Sequence, residues 1–133
     1  MIIVDTSVLI DYFRAVDSKE SALLDLFLDT DVEILIGDLV LMELLQGVRN
    51  EQQAQMVLQE LGAYRTISIA GPDCAIHAAQ HYRQLRGIGI TPSKSIDTLI
   101  ATRCIIDDIP LLFSDRDFDP FVKHLGLVSA ANS

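Results

Sequence analysis

Four short runs of aliphatic residues, each closed by a polar or glycine break, constrain this chain more than any other feature. They are Ile2–Asp5 (IIVD), Glu33–Ile36 (EILI), Thr66–Ile69 (TISI) and Leu111–Phe113 (LLF). Short apolar runs without clean alternation suit strands buried on both faces. The stretches between them carry apolar residues at three- and four-residue spacing, the period of a helix. They predict helices at Ser7–Phe13, Ser18–Leu28, Leu39–Gly47, Glu51–Leu61 and Ile96–Asp107, another from Asp73 to about Arg86, and a small one near Pro120–Leu125. Asp38 and Asp73 read as helix N-caps, Gly87–Ser95 as a loop, and Gly126–Val128 as a last edge strand. Buried strands alternating with helices predict a three-layer α/β/α fold with a central, mostly parallel sheet. In such sheets a ligand sits outside the carboxyl ends of the strands.

Composition limits the function classes. The chain has 133 residues, half of them hydrophobic, which excludes a disordered chain and fits one domain spanning residues 1–133. No uncharged apolar run approaches the ~20 residues of a spanning helix, so no membrane role is expected. The segment MIIVDTSVLIDYF lacks a basic region and a cleavage site, which reads as a cytoplasmic protein. Cys74 and Cys104 form no CxxC pair and read as reduced, buried thiols. The net charge of −9 argues against a simple binder of the nucleic-acid backbone. It leaves a nuclease open, because carboxylates that hold a cation add the same charge. It also suits a basic protein partner.

Four acids stand where folding alone does not require them. Asp5 ends the first strand, Glu43 lies inside the apolar LVLMELLQG, Asp97 opens the helix SIDTLIATRC, and Asp115 follows the fourth strand in LLFSDRDFD. Each also has a simpler reading. Asp5 can cap a helix with Thr6 and Ser7, and Asp97 can favour a helix dipole. Glu43 can occupy a wet face, and Asp115 can serve a turn. If the four share one rim, their charges raise one another's pKa unless a cation intervenes. An oxygen-only set favours Mg²⁺ or Mn²⁺ over Zn²⁺.

The segments IIVDTSVLIDYF, MELLQG, KSIDTLIATRC and LLFSDRDFDPF together resemble the PIN-domain ribonucleases, and most closely the VapC toxins of prokaryotic toxin–antitoxin pairs. The likeness runs along nearly the whole chain. It implies a PIN-like fold and a Mg²⁺-dependent (or Mn²⁺-dependent) endoribonuclease acting on single-stranded or structured RNA such as tRNA. It places Asp5, Glu43, Asp97 and Asp115 as the catalytic acids, with Asp5, Asp97 and Asp115 on the metal and Glu43 on the metal or the attacking water. Asp117 and Asp119 are alternatives to Asp115, and Ser7 matches a hydroxyl position beside the metal. The resemblance further implies a VapB-type antitoxin and a homodimer, with Val8–Phe13 and Leu39–Leu45 either lining a groove for an amphipathic segment or simply forming core.

Other residues weigh less. Arg86, Lys94 and Arg116 flank the site in sequence and are candidate phosphate contacts. His77 and His81 stand four apart, a spacing that can bind metal, but HAAQH lacks the glutamate of HExxH. His124 stands alone. A degenerate domain that only binds protein or RNA is the competing reading, which the intact acidic set disfavours. A phosphotransfer receiver domain would want an acidic pair after the first strand, which is absent.

Overall fold

In a computed structural model that describes residues 1–132, all four apolar runs contribute strands to one sheet. These are β1 (Ile2–Val4), β2 (Ile34–Gly37), β3 (Arg65–Ile67) and β4 (Leu111–Leu112), in the order β3-β2-β1-β4. Every pairing is parallel, with Ile3 opposite Leu35 on one side and Leu111 on the other. The sheet is thus wholly parallel where the sequence predicts a mostly parallel one. β1, β2 and β4 are buried along their length, as apolar strands covered on both faces must be.

Seven α-helices accompany the strands among the described residues: α1 (Thr6–Phe13), α2 (Lys19–Leu28), α3 (Asp38–Gly47), α4 (Glu51–Leu61), α5 (Pro72–Gly87), α6 (Ser95–Asp107) and α7 (Asp119–Leu125). α1 packs on α2 and α3, and α3 on α4, whereas α5 packs on α6 and α7. Parallel crossovers are right-handed. Stepping outward from β1 to β3 therefore puts α1–α4 on one face, and the return to β4 puts α5 and α6 on the other. Strand order reverses at β1, so the switch point lies beyond the carboxyl ends of β1 and β4.

Several predicted boundaries differ, and four of the differences have a clear physical reason. The helix after β2 begins at Asp38 itself, with Gly37 as its cap residue. The Asp38 carboxylate instead accepts the Leu39 N–H at 2.8 Å and, across 31 residues, the Ile69 N–H at 2.9 Å. That second bond removes the Ile69 donor from the ladder, so β3 ends at Ile67 rather than Ile69. Ile69 then tucks under the sheet edge, fully buried. Likewise α5 starts at Pro72 after Gly71, ahead of Asp73, since proline suits a first helical turn. The strand predicted at Gly126–Val128 is replaced by a left-handed Gly126 (φ +84°) that ends α7. Among the described residues a single bridge follows, between Leu111 and Ser129.

Gly37 shows how tightly this corner is built. A Cβ there would lie 2.6 Å from Ile69 Cγ1 and 2.7 Å from its Cδ1. Ile69 is fully buried and has little room to move. Gly37→Ala is expected to lower stability by about 1–3 kcal/mol through overpacking, measured as a lower urea midpoint with unchanged slope.

Among the described residues, no helix is long and apolar enough to cross a membrane. Cys74 and Cys104 are free and buried, as predicted from their spacing, and burial pushes both thiols up, away from reactivity.

Candidate active site

The carboxyl end of β1 passes directly into α1, and Asp5 stands at the junction. It is the N-cap of α1: its Oδ2 accepts from the Ser7 N–H at 3.1 Å and from the Ser7 hydroxyl at 2.6 Å. The capping reading of Asp5 therefore holds. Its other oxygen, Oδ1, is buried without a hydrogen-bond partner. Burial pushes the carboxyl above its ordinary value, the Ser7 bonds pull it down, and nearby Glu43 pushes it up again. The Ser7 oxygen also accepts the Ser114 N–H at 3.3 Å, which ties the ends of β1 and β4 together at the switch point.

Asp97 reaches the same place from the first turn of α6. It is 6% exposed, and its Oδ2 is a second buried oxygen without a partner. Burial and then the charge of Asp5 push its pKa up to about 7; Lys94 opposes, while Asp115 and Glu43 add to the rise. Asp97 thus senses each of the other three acids named from the sequence. Among the described residues none of the four has a lysine or arginine within ion-pair distance. Such a set is electrostatically unfavourable as it stands.

Asp115 is half-buried and caps the turn Arg116–Phe118, accepting the Asp117 N–H at 2.9 Å. Its turn role is therefore real as well. The turn brings Asp117 alongside rather than in place of Asp115: one oxygen each from Asp97, Asp115 and Asp117 lies within 4.8 Å of the others. Asp117 is further held by the Ser93 hydroxyl at 3.0 Å. Asp119, the other alternative, opens α7 and is not in this cluster. The D-x-D spacing at the end of an apolar strand is the signal that points to both acids.

Glu43 is half-buried on α3, and its Oε1 accepts the Thr6 hydroxyl at 2.9 Å. Thr6, from its sequence a helix-cap residue, is instead the group that orients Glu43. Nothing local could reveal a bond spanning 37 residues. Of the candidate phosphate contacts, Lys94 is the cap residue of α6 and acts on Asp97. Arg116 sits exposed in the turn between Asp115 and Asp117. Arg86 is near the end of α5, 5.8 Å over the Tyr82 ring.

Beside Glu43 runs a groove of about 690 Å³ between α1, α3 and α4. Ile10, Phe13, Leu44, Met56 and Val57 line it, and Arg14 and Arg49 lie at its polar edge. Val8, Leu9 and Val40 turn the other way, into the core, so the core reading of these helices holds for those residues.

A parallel α/β sheet with unpaired carboxylates gathered at its switch point defines an acid-centred α/β domain. The PIN domain family pattern matches residues 2–122, and the chain belongs to that family. Solved structures agree on the fold. VapBC2 from Rickettsia felis, bound to a DNA fragment from its promoter, matches at 21% identity and a TM-score of 0.77 over 97% of each chain. VapBC-1 from nontypeable Haemophilus influenzae matches at 16% and 0.75 over 100% of each. FitAcB from Neisseria gonorrhoeae matches at 19% and 0.69 over 98% of each.

Proposed function

We propose that this chain is a metal-dependent endoribonuclease, the toxin of a VapBC-type toxin–antitoxin pair, working in the cytoplasm as one PIN domain over residues 1–133. The observation that carries the reading is the pair of buried, unpartnered oxygens, Asp5 Oδ1 and Asp97 Oδ2, among acids that lack any ion pair. Orphaned buried oxygens of like charge fit a hard cation, and an all-oxygen donor set fits Mg²⁺ or Mn²⁺. Asp5, Asp97 and Asp115 would hold the ion, with Asp117 beside them. Once bound, such an ion lends positive charge to a phosphoryl group and makes water more acidic.

The chain's own groups do the rest. Ser7 fixes Asp5 through Oδ2 and so presents Oδ1 to the site. Thr6 holds Glu43 through Oε1, which leaves Oε2 to orient the attacking water and accept its proton. Lys94 and Arg116 meet the phosphates of the bound strand at the site, and Arg86 meets them further along. In-line attack on a phosphodiester then releases two RNA ends. The test is cleavage of RNA by purified protein with Mg²⁺ or Mn²⁺ against excess EDTA. Activity that disappears with chelation and returns with the metal is expected; cleavage indifferent to EDTA would overturn the reading. RNA binding without cleavage under either condition would favour the degenerate binding module instead.

The solved neighbours from Rickettsia felis and Haemophilus influenzae are VapBC structures, and another, from Klebsiella pneumoniae, is a toxin–antitoxin complex. By that likeness the groove beside Glu43 takes an amphipathic segment of a VapB-type antitoxin, and a net charge of −9 suits a basic one. The free chain is proposed to be a homodimer. Co-expression with the neighbouring gene product is expected to give a stable complex without nuclease activity. Light scattering of the isolated chain is expected to report two copies; a monomer that captures no antitoxin would contradict both proposals.

A further inference from the structure

The two histidines of HAAQH are left unused by the acidic site, and the structure gives them a specific arrangement. Both lie on α5, four residues apart. Side chains at that spacing share one helix face, with Cβ atoms about 5–6 Å apart. His77 Nδ1 is 2.9 Å from the Asp73 backbone carbonyl, one turn back. A carbonyl only accepts, so Nδ1 carries the proton and Nε2 carries the lone pair. His81 Nδ1 is 2.9 Å from the Thr102 hydroxyl on α6. No hydrogen bond engages either Nε2 among the described residues. His77 is exposed and His81 half-buried, so the pair opens to solvent.

We infer that His77 and His81 form a second metal site, a two-imidazole clamp for a borderline transition ion of the Zn²⁺, Ni²⁺ or Cu²⁺ class. Two observations support it. The spacing is the one by which two imidazoles on a single helix share an ion through Nε2. Each ring is anchored through its other nitrogen to a backbone carbonyl or a hydroxyl, as metal-bound histidines usually are. Nitrogen donors separate this site from the oxygen-only acids, which suit harder ions. Thr102 lies five residues from Asp97 along α6, roughly 7.5 Å of helix rise, so the two sites occupy different stretches of that helix. Water fills the remaining coordination positions, and the clamp is assigned binding and local stiffening of α5, with no chemistry of its own.

The proposal stands apart from the nuclease reading, and its test keeps them separate. The full chain, free of any affinity tag and carrying Asp97→Asn to weaken the acidic site, is titrated with NiCl₂ by calorimetry in excess Mg²⁺. One Ni²⁺ per chain is expected, with a rise in melting temperature because the ion binds the folded helix. His77→Ala, at an exposed position that folding tolerates, and His81→Ala are each expected to weaken binding at least about tenfold and to remove the thermal shift. Thr102→Val is expected to weaken it less, since it removes only the anchor of one ring. Undetectable Ni²⁺ binding overturns the proposal. So does binding that survives either histidine substitution, or that is lost with Asp115→Asn instead.

Discussion

Asp5→Asn and Asp97→Asn are each expected to cut RNA cleavage by at least about 10²-fold while leaving the circular dichroism spectrum unchanged. The magnitude follows from what each carboxylate contributes. Both supply a buried oxygen that no protein group satisfies, and both would place full negative charge against a cation that stabilises the transition state. Removing one preorganised electrostatic group from a water-poor site typically costs about 10²–10³ in rate. Asparagine keeps the shape and, at Asp5, retains an oxygen that can accept from Ser7, so helix α1 keeps its cap. A single-turnover assay at saturating RNA separates the chemical step from binding. Thr6→Val, which frees Glu43 without touching the ion ligands, is expected to lower the rate by a smaller factor. Full activity in both asparagine variants would remove the site assignment.

The second large effect concerns stability, and it has the opposite sign. In EDTA, Asp97→Asn is expected to be more stable than the parent at pH 8, by about 2 kcal/mol, because it removes a buried charge set among like charges. Its carboxyl has its pKa raised to about 7 in the folded protein, from an ordinary 3.8. Between those values the folded chain binds a proton that the unfolded chain does not. Stability therefore falls as pH rises through this window and levels off above about 7. The advantage of the variant should hold near pH 8 and shrink as pH drops from about 7 to 4, because the parent then neutralises Asp97 by protonation. Adding Mg²⁺ at pH 8 should reverse the ranking by stabilising the parent and not the variant. Urea denaturation at pH 4, 6 and 8 checks the sign; a variant less stable than the metal-free parent at pH 8 would show that the acids do not repel one another. A site that weakens its own scaffold is the expected consequence of preparing charge for an ion.

Much of this architecture is legible in the chain before any coordinates. IIVD and LLF are buried and apolar because two helical layers cover them, so their residues have no face to leave polar. α4 falls where the pattern puts it, Glu51–Leu61, because Asn50 caps its start in the ordinary way and accepts the Gln53 N–H. The edges are harder. β3 reads R-T-I at the edge of the sheet, with Arg65 and Thr66 exposed, and its end is set by the bond from the Ile69 N–H to Asp38, 31 positions away. Gly126 looks like a strand opening from its neighbours Leu127 and Val128, yet its left-handed backbone is spent on stopping α7. The acids show the same division. Asp5, Asp97 and Asp115 stand out because strand ends and helix starts of a parallel sheet converge by topology alone. The company of Asp117, the Thr6 bond to Glu43 and the Ser93 bond to Asp117 arise from a tight turn and from pairings between distant segments, which no local period encodes.

The acids at the β1–β4 switch point are proposed to act by gathering a divalent cation. Crystals of the protein soaked in Mn²⁺, with data collected at a wavelength where manganese scatters anomalously, test this most directly. An anomalous peak within coordination distance of Asp5 Oδ1 and Asp97 Oδ2, lost in the Asp97→Asn protein, is the predicted result. Manganese bound elsewhere on the surface with that position empty would contradict it.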